Sequence, residues 1–549
     1  MLDPEYYRNC ADEVIELYSK LELRITRDVV RRIMKTGLIT DTAKQQVEVA
    51  LQSGELYDDI IQEVSAISGE SEEIIREIFE DAGIETSKED FVRVGLNPEG
   101  VEMSPAMEQV LKAGITKTNG LVKNLTMTTA RTTQTAYIEA CSLAELEITS
   151  GAFDYNTAIR HAVDSAAESG LKVEYPSGHT DLLDVAIRRA VMTGVTQTTS
   201  QVSLANCDTI GTDLVEVSAH GGARPEHAEW QGKIFCINGS RGRYKDFYKE
   251  TGYGTGPGLC GWNCRHSFYP FLEGVSTPTY TKKEIQRLNE QTVEYEGEQI
   301  PQYEAEQKQR AMERQIRKDR RELVAYDEAL KNCAKDSMEY YDYKSDFDRV
   351  SVKLKTHEAK YKDFSKQTGL LTQKERLQTR GFNHSVSQKA VASSQRHYDT
   401  WKKDVGATNL PKNLADYYKM KYNDKEMYSL LQKYMNSIEN GELSTLCTFD
   451  NYLDVYNEIN EKLIGTRASN GIIISGVSDH YIARAIGGPK NARSGVKVDD
   501  QLEALTSSKS KISDIIIDKD GRPSIRFVSG KCIVSVNPES KVLIQTNPK

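Results

Sequence analysis

The 549-residue chain carries 71 Lys+Arg against 81 Asp+Glu, a net charge of −10, with 38% hydrophobic and 28% charged residues. That length predicts three to four domains, and that polarity demands solvent-facing helices beside the core. No run of about 18 apolar residues is present, which argues against a transmembrane helix and a membrane partner. Met1-Leu2-Asp3-Pro4-Glu5 has neither the basic nor the apolar region of a signal peptide, so the expected site of synthesis and first action is a cytoplasm. Nine cysteines dispersed from Cys10 to Cys532 suggest no disulfide framework, and only Cys260 and Cys264 lie close together.

In chain order, residues 1–215 read as helices. Asp28-Val-Val-Arg-Arg-Ile-Met and Ser71-Glu-Glu-Ile-Ile-Arg-Glu-Ile-Phe place apolar side chains at three-to-four spacing. Thr40-Asp41-Thr42 and Ser68-Gly69-Glu70 are the expected turns and caps between them. A Thr-rich helix is expected over 126–135 and an amphipathic one over 180–199. Residues 216–275 are dense in glycine and aromatics, which predicts a loop-rich module with short strands. Over 276–370, Met312, Ile316 and Leu323 recur at heptad-like intervals among Glu and Arg, predicting a long exposed charged helix or arm. Residues 371–464 form a polar helical linker region without a legible site.

From 465 to 549 the period changes. Helices over 479–486 and 499–506 precede four strands: Asp514-Ile-Ile-Ile-Asp, Ser524-Ile-Arg-Phe-Val-Ser, Cys532-Ile-Val-Ser-Val and Lys541-Val-Leu-Ile-Gln-Thr. The separators Lys519-Asp520-Gly521-Arg522, Ser529-Gly530-Lys531 and Asn537-Pro538-Glu539-Ser540 are turn sequences. The fold class is therefore multi-domain: a mainly α N-terminal body, a loop-rich central module, a long charged helix, and a separately folded C-terminal α+β domain of two helices plus a four-stranded antiparallel sheet. From residue 461 on, 14 Lys+Arg face 9 Asp+Glu, a local +5 against −15 for the rest, so the two parts suit different partners.

His220, His227, Cys260, Cys264 and His266 have the chemistry of zinc ligands. Cys260-x3-Cys264 with His266 fits such a site, but the other two histidines lie about forty residues earlier. That imperfect spacing favours a packed loop core in which the histidines and Arg224 satisfy buried carbonyls, with no metal or other cofactor; zinc is the alternative.

In the C-terminal domain, Ser478 is an expected N-cap, Asp479 favours the positive helix end, and Gly487-Gly488-Pro489 stops the helix. His480 and Arg484, four apart, share one helix face. Ile525 and Phe527 should face the helices, leaving Ser524 and Arg526 on the open face. Lys531 sits at the next turn as an RNA contact, and Thr546 lies near the end of the last strand. These groups suit metal-free RNA cleavage. RNA carries its own 2′-hydroxyl nucleophile, a histidine is a general base or acid, and Arg or Lys stabilises the charged transition state. No carboxylate cluster suited to Mg²⁺ appears, which argues against a two-metal DNase. The plain alternative is a capping histidine and a solvated arginine.

The run His220-Gly-Gly-Ala-Arg-Pro-Glu-His-Ala-Glu-Trp-Gln-Gly-Lys-Ile-Phe resembles the signature of the phage minor capsid protein 2 family. So does the stretch from Thr251-Gly-Tyr-Gly through Gly258-Leu-Cys-Gly-Trp-Asn-Cys-Arg-His-Ser-Phe-Tyr-Pro-Phe. Tyr175-Pro-Ser-Gly-His-Thr-Asp-Leu-Leu-Asp-Val-Ala-Ile-Arg-Arg-Ala-Val and Tyr303-Glu-Ala-Glu-Gln-Lys-Gln-Arg-Ala-Met-Glu-Arg extend the likeness, which covers roughly residues 1–370. It implies a virion head-morphogenesis protein related to the MuF type, in few copies near the portal. The partners implied are portal and capsid proteins, and this part would have no catalytic activity.

A second resemblance joins Ser478-Asp-His-Tyr-Ile-Ala-Arg, Lys511-Ile-Ser-Asp-Ile, Gly521-Arg-Pro-Ser-Ile-Arg-Phe-Val and Val536-Asn-Pro-Glu-Ser. They resemble phage-borne domains of the barnase/EndoU/colicin/RelE-like (BECR) nuclease superfamily, which often end minor capsid proteins. This implies an endoribonuclease toxin acting in the host cytoplasm, RNA as substrate and an immunity protein as partner. His480, Arg484, Ser524, Arg526 and Thr546 match its pattern positions, while the segment 487–498 is longer than the usual link. The alternative is a non-catalytic module that binds nucleic acid or protein.

Overall fold

The computed structural model describes residues 4–37, 39, 41–98, 104–414, 416–417, 420, 424–490, 492–517 and 522–549. The chain divides into two compact units, Met1–Val391 and Ala392–Lys549.

In the first unit, helices Asp12–Gly37, Thr42–Arg93, Pro105–Thr149, Tyr155–Ser169 and Leu183–Ile210 enclose one core that includes Leu21, Ile33, Phe79, Val122, Tyr137 and Val191. Asp41 caps its helix by accepting the Lys44 N–H at 2.9 Å; Thr40 of the expected turn lies outside the described residues. The turn expected at Ser68-Gly69-Glu70 does not form. Thr42–Arg93 runs through it as one 52-residue helix. The Ser68 hydroxyl is held by the Ser65 carbonyl at 3.0 Å, and burial of Val64, Ile75 and Phe79 outweighs the roughly 1 kcal/mol cost of a helical glycine. Thr126 and Thr129 donate to the Val122 and Leu125 carbonyls at 2.7 and 3.0 Å, so these two buried threonine hydroxyls are satisfied within the helix. Helices Pro105–Thr149 and Leu183–Ile210 approach closely at two glycines. A Cβ at Gly114 would lie 2.1 Å from Thr198 Oγ1, and one at Gly194 2.2 Å from Thr118 Oγ1.

Asp90 joins two of these helices, accepting from Ser203 Oγ at 2.7 Å and Asn206 Nδ2 at 2.9 Å. Burial raises its pKa to about 6, against the lowering effect of those two hydrogen bonds. A folded-state pKa above the unfolded 3.8 means that the native state binds the proton more tightly. This stabilising contribution is full below about pH 4 and is lost as pH rises through about 6, by about 3 kcal/mol. Asp90→Asn is expected to remove that slope from urea-unfolding free energies measured between pH 4 and 7. An unchanged slope in the variant would assign it to other groups.

The charged helix Gln302–Asn332 is present, but it is not an exposed arm. It packs against Asp12–Gly37 and Met338–Thr368, with Ile316, Leu323, Ala325 and Tyr326 in the core. Its buried charges are paired. Glu328 meets Arg31 at 2.7 Å, Asp327 meets Lys331 and Lys389 at 2.6 Å each, Asp319 meets His357 at 2.6 Å, and Arg317 meets Asp184. Buried charge persists only when paired, and, apart from Lys331 one turn along the same helix, those partners come from positions far away in sequence.

The glycine-rich module belongs to this first unit. Its strands lie in the order Lys245–Asp246, Ile234–Cys236, Leu214–Val217, Phe268–Pro270, and Trp230, Phe235, Phe247, Leu259 and Phe268 fill a small core of their own.

In the second unit, Pro523–Val528, Cys532–Val536 and Val542–Pro548 form the expected antiparallel meander. Ile516–Ile517 and Lys511–Ile512 both pair with Pro523–Val528; Asp518 and the turn residues Lys519-Asp520-Gly521 lie outside the described residues. Gly476–Val477 adds a parallel strand beside Val542–Pro548, so the sheet is mixed and six-stranded, not four-stranded and antiparallel. Helices Asp479–Ile486 and Val498–Thr506 pack on it as the periodicity predicts. The core also takes in Leu430, Leu431, Tyr434, Phe449, Tyr452, Leu453 and Ile459, from the segment that reads in sequence as a linker.

Candidate functional site

Two clusters of chemically capable side chains stand out, one in each unit. In the first, His227 sits on the short helix Pro225–Ala228, Cys264 in the glycine-rich loop, and His266 just before strand Phe268–Pro270. Cys264 Sγ lies 3.7 Å from His227 Nδ1 and 3.7 Å from His266 Nδ1. All three residues are buried, and their ligand-type atoms lie within 4.8 Å of one another. The outer ring nitrogens face oxygens: His227 Nε2 at 2.9 Å from the Pro257 carbonyl, His266 Nε2 at 3.0 Å from Gln231 Oε1. The other two sequence candidates flank the group. Cys260 Sγ faces the His266 carbonyl at 3.6 Å, and the His220 ring lies over His266 with centroids 4.1 Å apart. Arg224 satisfies the Trp262 carbonyl at 2.7 Å, the role its sequence context suggests. Burial holds the His227 and His266 pKa values below the usual histidine range and pushes the Cys260 and Cys264 thiols up. His227, Cys264 and His266 line a cleft of about 700 Å³ together with Arg224, Arg265 and Arg310.

The second cluster is built on helix Asp479–Ile486. His480 is exposed, and its Nδ1 lies 3.1 Å from Glu442 Oε2. One turn on, Arg484 Nη1 donates to Gln545 Oε1 at 2.8 Å; burial, then neighbouring Arg493, lower its pKa. Gln545 pairs with Ser535, and Ser535 with Arg526. These three form one row on one face of the sheet, which puts Gln545 and Arg526 about 10 Å apart at Cα. The buried Ser535 Oγ between them has no hydrogen-bond partner among the described residues. Ser524 shares the Arg526 face and donates to the Ile516 carbonyl at 3.2 Å.

Two sequence candidates stand apart. Thr546 belongs to the row of Val534 and Phe527, on the opposite face, and is buried in the core at 1% exposure. Lys531 Nζ is held by Asp500 at 2.8 Å and Glu503 at 3.1 Å; those bonds raise its pKa and occupy it. Ser478 precedes its helix but makes no side-chain cap. Its hydroxyl donates to the Ile544 carbonyl at 2.8 Å because the parallel strand Gly476–Val477 sets it beside that backbone. The Asp479 side chain lies outside the described residues.

The long link after the helix is a small hairpin, Gly487–Gly488 with Arg493–Ser494. A Cβ at Gly488 would lie 2.0 Å from the Glu442 carbonyl oxygen, so only glycine seats the hairpin against the loop that carries Glu442.

A family model described as phage minor capsid protein 2 matches residues 2–366. The chain belongs to that family. This minor capsid protein is also similar to a structural protein of Lactococcus phage LL-H, 27% identical over 188 residues, 33% of this chain. Those residues are 48% of the relative, so the chain spans about half of that protein's length. No solved structure matches. The chain is therefore a bacteriophage structural protein. The family match ends inside the first unit, so the second cluster stands on its own geometry.

That geometry includes residues the sequence did not single out. Glu442, Arg493 and Gln545 contact or flank the His480–Arg484 face. Glu442 follows a glycine between two helices in a segment with no motif, and only the fold carries it to His480. Gln545, one residue before Thr546, was findable by a different strand register. The bulge at Ser535/Val536 shifts which side chains reach the open face.

Proposed function

We propose that this minor capsid protein sits in the phage head near the portal, bound to portal and capsid proteins, and that its C-terminal unit is a metal-independent endoribonuclease. The family membership supports the first part. The second is carried by one observation: a histidine held by a carboxylate on its Nδ1, one helical turn from an arginine that is tied to a strand row ending in Arg526.

Glu442 accepts from Nδ1–H, so Nε2 carries the lone pair and can act as a base. His480 takes the proton from the 2′-hydroxyl of RNA. The 2′-oxygen bonds to phosphorus as the bond to the 5′-oxygen breaks, and the departing oxygen is protonated by water. Arg484 and Arg526 stabilise the charge on the phosphorane-like transition state. The products are a 2′,3′-cyclic phosphate and a 5′-hydroxyl. Cleavage of total RNA in EDTA, with those ends, tests this reading.

Exposed Ile512, Ile515, Ile516 and Ile517 at the sheet edge support a protein partner for this unit, such as an immunity protein; they also favour the alternative of a binding module without catalysis. For the head assignment, mass spectrometry of purified particles is expected to find the chain in far fewer copies than the major capsid protein. Absence from both procapsids and mature particles would sink that placement.

A further inference from the structure

We propose that His227 Nδ1, Cys264 Sγ and His266 Nδ1 bind one zinc ion in the first unit. This stands independently of the RNA reading. The first argument is distance. Zinc held at about 2.3 Å by sulfur and about 2.05 Å by nitrogen in a tetrahedron puts S and N about 3.6 Å apart. Both observed separations are 3.7 Å.

The second argument is hydrogen-bond accounting, with protons assigned from the network. A carbonyl only accepts, so His227 Nε2 must donate to Pro257. Asn289 Nδ2 donates to the Ala228 carbonyl at 3.3 Å, which leaves Asn289 Oδ1 to accept from Gln231 Nε2. Gln231 Oε1 is then an acceptor; it takes the His220 backbone N–H at 3.1 Å and the His266 Nε2–H. Both imidazoles therefore turn a bare Nδ1 lone pair toward Cys264 Sγ. A single thiol proton serves only one of them and leaves the other buried and unsatisfied. A cation bound by a thiolate and two neutral imidazoles satisfies all three. Outer N–H groups donating to carbonyl oxygens are also the usual way that metal-binding histidines are oriented.

Two nitrogens and a thiolate suit zinc and not Mg²⁺ or Ca²⁺, which prefer oxygen. Three protein ligands leave one position of a tetrahedral zinc open, and all three residues line the arginine-bordered cleft. The ion would clamp the Pro225–Ala228 helix, the glycine-rich loop and the start of strand Phe268–Pro270 together. The one-dimensional spacing favours packing because it sees His227 as remote; the fold removes that objection.

The test uses the full chain, expressed with added zinc and purified without an affinity histidine tag. Elemental analysis is expected to find about one zinc per chain in the wild type and in Cys260→Ser, and less than about a tenth of that in Cys264→Ser and His266→Gln. X-ray absorption of the wild type should show one sulfur at about 2.3 Å among nitrogen or oxygen neighbours at about 2.0 Å. Should the variants misfold, the wild type still decides. Its thermal midpoint should fall on chelation and return when zinc is restored. Zinc-free wild type, zinc retained by Cys264→Ser, or a spectrum without sulfur would overturn the proposal.

Discussion

His480→Ala in the full chain is expected to slow RNA cleavage about 10²–10⁴-fold, the usual share of a general acid or base. Arg526→Ala should cost about 10²–10³-fold, as for an electrostatic stabiliser. Folding should barely change in either variant, since both side chains are exposed and neither fills the core. Rates are read on total RNA in EDTA, with thermal unfolding run in parallel. Cleavage that persists unchanged in both variants would place the chemistry elsewhere. A wild type that binds RNA without cutting it would establish the binding-module alternative. The buried position of Thr546 adds an internal control. Thr546→Val should leave the rate within a few-fold, because the hydroxyl lies on the core side of the sheet, away from Arg526.

The second large effect concerns the extent of this unit. A fragment starting at 465 is expected to be unfolded, whereas 392–549 should unfold cooperatively. Leu430, Leu431, Tyr434, Phe449, Tyr452, Leu453 and Ile459 are each less than a tenth exposed and pack with Tyr481, Leu505, Phe527 and Val534 in one core. At about 1.5–3 kcal/mol for each large side chain, removing seven forfeits more than about 10 kcal/mol, as much as a whole domain's net stability. Circular dichroism through a thermal ramp separates the outcomes. A sigmoidal transition from the 465 fragment would show that the strands and two helices suffice alone. The same reasoning requires nuclease assays to be made on the full chain, since an inactive short fragment would report only lost folding.

Local period and composition carry the regular elements. Helices over 479–486 and 499–506, the strand meander after them and the threonine-rich helix were legible because backbone geometry repeats every 3.6 or 2 residues whatever surrounds it. The glycine and aromatic runs marked the capsid family because their order in the chain is itself the signal. The remaining features depend on packing. Ser68-Gly69-Glu70 reads as a turn until packing on both sides holds the helix straight through it. The Gln302–Asn332 helix looks solvated because periodicity reports which face is apolar, and says nothing of partners that neutralise the charged one. Glu442 reaches His480, and His227 reaches Cys264, across 38 and 37 residues. Such meetings depend on how elements stack, a property of the whole core that no local window contains.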